Sequence, residues 1–128
     1  MKPEQGRMIH CQPYPHGARK MGTLLLTLAV IFNVCANSLF KLAGGIPELT
    51  LRKVAFLGLG LLVGLANTLC FIKALEKIDL GVAYPVFSAA SIILIAIIAP
   101  ALFGESMSFQ RAAGLAVVCL GLLLTWGS

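Results

Sequence analysis

The chain has 128 residues, of which 59% are hydrophobic, and its mean hydropathy is +0.93. A soluble domain of this size cannot bury so much apolar surface, so the composition excludes an ordinary water-soluble globular protein and points to lipid as the solvent. The formal net charge of +5 is scattered over a tail and short loops without forming a patch, which favours anionic lipid headgroups over nucleic acid as the partner.

Residues 1–20 contain three prolines, four basic residues and no apolar run. This composition predicts a disordered basic tail over 1–20, followed by a transmembrane domain over 21–128. His10, Cys11 and His16 could in principle bind a metal, but their place in a flexible tail argues against it. The other cysteines lie inside the apolar stretches at spacings that match no metal motif. We therefore expect neither a metal nor a cofactor.

Four stretches of the transmembrane domain lack charged residues: 22–40, 54–72, 80–104 and 112–128. Each is close to the roughly 20 residues that a helix needs to cross a bilayer. The loops between them are too short for a soluble domain. The sequence therefore predicts an all-α membrane protein, a bundle of four transmembrane helices with spans at about 22–41, 54–73, 80–103 and 110–127.

Span 1 carries a polar stripe, because Asn33, Asn37 and Lys41 recur every four residues and so share one helix face. Carboxamides facing lipid would be costly, so we expect this stripe to face the interior of the bundle. Two interpretations remain open. The stripe either bonds to neighbouring helices, with Lys41 reaching the interface, or lines a path for a substrate.

Spans 2 to 4 add further candidates. Gly60 and Gly64 form a GxxxG pair in span 2, which allows close packing of helices, and Asn67 follows them. In span 3, aromatic and hydroxyl side chains share one face at spacings of three and four, and Pro85 is predicted to lie in the first turn. Ser108 is a predicted N-cap of span 4. The shared face of span 3 consists of Tyr84, Phe87, Ser88 and Ser91.

A family resemblance is carried by three motifs in combination. The string Gly81-Val-Ala-Tyr84-Pro-Val-Phe87-Ser88, the turn Phe103-Gly104-Glu105, and Gly114 with Gly121 in span 4 resemble the second half of small multidrug resistance proteins and their relatives in the drug/metabolite transporter superfamily. The resemblance covers residues 21–127. It implies a homodimer or heterodimer of four-span protomers, often in opposite orientations. Gly114 and Gly121 would form the dimer contact, and Tyr84 and Phe87 would line the binding chamber.

One departure from this family lies in span 1. The exporters that the chain resembles carry a membrane-embedded glutamate for proton exchange, and Asn33 stands at that position. Asparagine cannot titrate. The departure favours a sister branch, similar to the subunits that flip undecaprenyl-phosphate-linked aminoarabinose. There Asn33, Asn37 and Asn67 would bond sugar hydroxyls, and Lys41 would meet a phosphate.

The leading functional hypothesis is a transporter or flippase subunit in the bacterial inner membrane for a polar, polyprenyl-phosphate-linked sugar. The alternatives are an exporter of organic cations and a non-transporting accessory subunit of a larger membrane protein. An enzyme is not expected, because no nucleophile is paired with a base and the acidic residues of the domain fall in predicted loops. Six basic residues on the side of the N terminus against four on the other side weakly favour cytoplasmic termini. The candidate substrate-binding residues are Asn33, Asn37, Lys41, Asn67, Tyr84, Phe87 and Ser88.

Overall fold

The computed structural model describes residues 15–127, with side chains as far as residue 124, and this part of the chain forms four helices. The helices α1, α2 and α3 are long and apolar enough to cross a membrane, and α4 is apolar over Phe109–Leu124. The predicted all-α, four-helix fold is therefore confirmed. The helices are α1 (His16–Gly44), α2 (Leu51–Leu75), α3 (Leu80–Phe103) and α4 (Phe109–Gly127).

Helix α1 begins earlier than the sequence analysis predicted. His16 to Lys20, assigned to the disordered tail, form its first turn, and the carbonyl of Pro15 accepts hydrogen bonds from Ala18 N at 2.8 Å and Arg19 N at 3.3 Å. Extending an existing helix avoids the cost of nucleation, so this short segment joins the apolar span although Gly17 is a poor helix former. Residues 1–14, including His10 and Cys11, lie outside the described residues.

The helix ends follow local sequence signals. Ser108 Oγ accepts a hydrogen bond from Arg111 N at 3.3 Å, so Ser108 is the N-cap of α4 as predicted. Gly104 ends α3 with a φ of 64°, a left-handed conformation that glycine adopts without steric cost. Pro85 was wrongly predicted to lie in the first turn of α3. It is the sixth residue of that helix, where an N–H would have bonded to the carbonyl of Gly81.

The helices pack in an antiparallel register that small residues make possible. Gly22 lies against Ile78, and Gly60 lies against the Phe40 ring. In this antiparallel register, moving one residue forward along α1 corresponds to moving one residue back along α2. Leu26, Ala74 and Ala83 join α1, α2 and α3 in a core cluster near the α2–α3 connection. Among the described helices, α4 packs against α3 alone. The first three helices therefore form the compact part of the bundle.

The predicted glycine pair of α2 plays two different parts in this packing. A Cβ at Gly60 would come within 2.6 Å of the Phe40 ring, whereas a Cβ at Gly64 would meet no described atom within 4 Å. Gly60→Leu is therefore expected to lower the free energy of unfolding by about 1–3 kcal/mol through overpacking. Gly64→Leu is the matched control and should stay within about 0.5 kcal/mol of the unmodified chain. Thermal unfolding in detergent measures both, and equal melting temperatures would contradict the packing role of Gly60.

Candidate functional site

Three aromatic rings meet between α2 and α3. The Phe71 and Phe87 ring centroids are 4.9 Å apart at an interplanar angle of 48°, and the Tyr84 ring meets Phe71 edge-on at 6.5 Å. Tyr84 is 59% exposed, so the cluster is open on one side. The predicted pair Tyr84 and Phe87 is thus joined through Phe71, a residue that the sequence analysis did not single out. Ser88, next to Phe87, is half-buried.

Unpartnered polar atoms lie one turn deeper than this aromatic cluster. Asn67 precedes Phe71 by one turn on α2, and Ser91 follows Phe87 by one turn on α3. The Oδ1 atom of Asn67 and the Oγ atom of Ser91 are both buried, and neither has a hydrogen-bond partner among the described residues. Ser91 is only 4% exposed. A buried polar group without a partner is costly, so each of these two atoms is a point at which a ligand could form a hydrogen bond.

The polar stripe of α1 reaches the same depth. The register of α1 against α2 puts Asn33 level with Asn67, in the middle of the bundle. Asn37 Nδ2 donates to the Asn33 backbone oxygen at 2.8 Å and approaches the Asn33 Oδ1 atom at 3.4 Å. The two carboxamides therefore satisfy part of their hydrogen bonding along their own helix. The half-buried Asn33 therefore lies at about the same depth in the bundle as the unpartnered atoms.

The outer part of the stripe lines a cavity between α1 and α3. This cavity has a volume of about 250 Å³ and apolar walls supplied by α3, with Asn37 and Lys41 on the α1 side. Glu105, from the α3–α4 connection, borders the same space. Asn37 and Lys41 thus share a cavity, while Tyr84 and Phe87 lie near the opposite end of the bundle. The seven predicted site residues are therefore spread along the length of the bundle.

An ion-pair network stands at the mouth of this cavity. Lys41 Nζ lies 2.8 Å from one Glu105 carboxylate oxygen, and Arg111 lies 3.5 Å from the other. Lys41 Nζ also sits over the Phe103 ring, 5.9 Å from its centroid. The hydrogen bond and the charge of Lys41, with a smaller effect of Arg111, lower the pKa of Glu105 below its ordinary value of 4.5. The carboxylate therefore stays charged throughout the neutral range.

A second, larger groove separates α3 from α4. Its volume is about 520 Å³, its walls are mainly apolar, and Gly114 lines it. A Cβ at Gly114 or at Gly121 would meet no described atom within 4 Å. The face of α4 at Gly114 therefore has room for a side chain in the described part of one protomer.

These features define the class of protein. Four helices, three of them long enough to cross a membrane, enclose polar side chains at mid-depth and leave the last helix packed on one neighbour. Such a chain is a small multi-pass membrane protein. The family model for small multidrug resistance proteins matches residues 21–118, and the chain belongs to this family, whose members are transporters.

Several curated relatives align over most of the chain. The multidrug resistance protein EbrB of Bacillus subtilis is 32% identical over 104 residues, which cover 80% of this chain and 84% of EbrB. The quaternary ammonium compound-resistance protein QacE of Escherichia coli is 27% identical over 103 residues, 80% of this chain and 89% of QacE. A protein named for ethidium bromide resistance, also from Escherichia coli, is 28% identical over 103 residues, with 80% and 85% covered. No solved structure matches the chain.

The comparisons decide between the predicted functions only in part. The family resemblance inferred from the motifs of α3 and α4 is confirmed, but a specific likeness to aminoarabinose flippase subunits is not shown. The relatives named above are resistance proteins for drugs or organic cations. They therefore favour the alternative prediction, a small-molecule exporter, over a flippase for a lipid-linked sugar.

Proposed function

We propose that the chain is one subunit of an exporter for amphipathic organic cations in the bacterial inner membrane. The observation that carries the proposal is the aromatic cluster backed by unpartnered polar atoms. Aromatic faces attract organic cations, and the Asn67 and Ser91 oxygens can accept hydrogen bonds from a charged or polar group. The names of the relatives support the same class of substrate, because QacE is named for quaternary ammonium compounds.

The chain needs a partner to couple transport to protons. The four acidic residues of the described part of the chain, Glu48, Glu76, Asp79 and Glu105, lie outside the four helices, so none of these carboxylates sits at mid-membrane. Asn33 occupies the position that, by the resemblance, holds the coupling glutamate. A partner protomer that carries this glutamate would supply the missing group, and the face of α4 at Gly114, where an added Cβ would meet no described atom, is suited to the contact.

The distribution of charge supports either orientation of this chain within such a dimer. The eight basic side chains of the described residues divide equally between the two ends of the bundle, so they give no bias toward one orientation. Arg19, Lys20, Lys73 and Lys77 lie at one end, and Lys41, Arg52, Lys53 and Arg111 at the other.

A flippase for a lipid-linked sugar has weaker support. That hypothesis needs the Lys41 ammonium free to meet a phosphate, but it is held by Glu105 at 2.8 Å. A phosphate at this place would have to approach the Glu105 carboxylate, which carries the same sign of charge. A phosphate would therefore have to compete with the Glu105 carboxylate for Lys41.

Ser91→Ala tests the site at the unpartnered Asn67 and Ser91 oxygens, because it should raise stability and weaken cation binding. Removing a buried hydroxyl without a partner is expected to raise the free energy of unfolding by about 1 kcal/mol. The same change should weaken ethidium binding by roughly three- to tenfold, since the hydroxyl would bond the cargo. Thermal unfolding and a fluorescence titration of the purified full-length chain measure the two effects. Thr27→Ala, which removes an exposed hydroxyl that bonds to the Thr23 carbonyl of its own helix, is the control and should leave ethidium affinity unchanged without raising stability.

Ethidium efflux from cells provides a second test of the proposed function. We expect cells that co-express the chain with a four-span family member of its own genome to expel ethidium faster than cells with either protein alone. No efflux with any such partner, together with fixed-ratio purification with one larger membrane protein, would instead favour the accessory-subunit hypothesis. Unchanged ethidium affinity in Ser91→Ala would contradict a binding site at the Asn67 and Ser91 oxygens.

A further inference from the structure

The carboxylate of Glu105 borders three separate spaces in the described part of the molecule. It lines the cavity of about 250 Å³ between α1 and α3 and the groove of about 520 Å³ between α3 and α4. It also lines a polar recess of about 370 Å³ beside Ser106, Ser108 and Arg111. Glu48, Glu76 and Asp79 line none of these three spaces. Glu105 is therefore the carboxylate that a cation entering any of them would meet.

The immediate surroundings of Glu105 already hold a cation. The Lys41 ammonium sits 2.8 Å from the carboxylate and over the Phe103 ring, 5.9 Å from its centroid. A carboxylate beside an aromatic face is an arrangement that binds organic cations, and apolar walls from Ile95 and Ile98 extend it inward. Lys41 thus occupies the position that a separate organic cation would take.

Lys41 can leave this position at little cost. Its side chain is 58% exposed, and that of Glu105 is 30% exposed, so water screens the pair. Lys41 is also at the end of α1, where a long side chain can turn to the membrane surface. Arg111, the other charged group that faces Glu105, is 3.5 Å away on α4 and would stay paired. An incoming cation would therefore compete with Lys41 for one of the two carboxylate oxygens.

We infer that Glu105 is an entry site for an organic cation at this end of the bundle, and that Lys41 is a built-in competitor which the cargo displaces. The inference rests on the proposed function, since it assumes a cationic cargo. It adds a binding carboxylate to a protein whose four described helices contain none. Because Lys41 lowers the pKa of Glu105, the site stays charged and available at neutral pH.

Ethidium titration of purified full-length variants tests this site. Lys41→Met removes the competitor and should tighten binding by about fivefold, the upper range for an exposed ion pair. Glu105→Gln removes the carboxylate, and in the double variant Lys41→Met, Glu105→Gln the gain should disappear. Lys73→Met is the matched control, because Lys73 forms a similar exposed pair with Glu76 at 2.9 Å at the opposite end of the bundle. It should bind ethidium as the unmodified chain does.

The outcomes separate this inference from the proposed function. Binding by the double variant as tight as that of Lys41→Met would overturn the role of Glu105. An affinity of Lys41→Met equal to that of Lys73→Met would overturn the role of Lys41. Tighter binding through Glu105, combined with no ethidium efflux in any pairing of protomers, would support the entry site and contradict only the exporter function. Circular dichroism of each variant shows that its helices are intact.

Discussion

Asn33→Glu is expected to make cation binding by this chain depend on pH. A carboxylate introduced at this half-buried position binds a cation only when it is deprotonated. The affinity for the cation should therefore rise as the pH is raised. We expect ethidium affinity to increase by roughly tenfold between mildly acidic and mildly alkaline buffer, with release of protons on binding. Titrations in weakly buffered detergent solution, followed by fluorescence and by a pH electrode, measure both quantities.

Two control variants define what this result would mean. Asn33→Gln keeps a neutral carboxamide and should bind ethidium without pH dependence. Asn37→Glu places a carboxylate one turn away, at an exposed position that lines the outer cavity, and should give a smaller effect. If Asn33→Glu behaves like Asn33→Gln, position 33 does not face the cargo, and a partner glutamate at that position would not explain coupling.

Phe71→Leu is expected to weaken ethidium binding by about two- to thirtyfold while the chain remains folded. Phe71 is the ring that joins Tyr84 to Phe87, so the change removes one aromatic face and both ring contacts. A cation over an aromatic face gains about 0.5–2 kcal/mol, and leucine keeps apolar volume without that attraction. Ethidium titration and thermal unfolding of the same preparation distinguish lost binding from lost stability.

Phe109→Leu is the control for this prediction. Phe109 is 88% exposed at the start of α4, away from the cluster, so its replacement should leave ethidium affinity unchanged. Equal affinities for Phe71→Leu and Phe109→Leu would contradict a role of the aromatic cluster in cation binding. A lower melting temperature of Phe71→Leu without a change in affinity would assign Phe71 to packing alone.

The four helices could be predicted because charge placement determines where a chain can cross a bilayer. Predicted span 80–103 coincides with α3, and predicted span 110–127 differs from α4 by one residue. The start of α1 could not be predicted in this way, since the turn at His16 to Lys20 depends on helix propagation rather than on hydropathy. The Ser108 cap was predictable because capping is a local interaction.

The candidate site was predictable only where a motif or a repeat marked it. Tyr84 and Phe87 came from a family resemblance, and the α1 stripe came from four-residue spacing. Phe71 and Glu105 were missed because their partners lie on other helices: the Phe71 ring is held against α3, and Glu105 is paired with Lys41 on α1. Ser91 was placed on the shared face of α3 by its spacing. That its hydroxyl has no hydrogen-bond partner among the described residues could not be predicted from the sequence.

The sequence by itself determined that this protein is a four-helix membrane protein without a carboxylate at mid-membrane, since apolar length and charge position are properties of the chain alone. Only the tertiary structure decided which polar groups lack partners and which are already paired. Among the described residues, the Asn67 Oδ1 and Ser91 Oγ atoms have no hydrogen-bond partner, while Lys41 is paired with Glu105 across more than sixty residues of sequence. Pairing depends on which helix faces meet, and that in turn depends on close packing at positions such as Gly22 and Gly60.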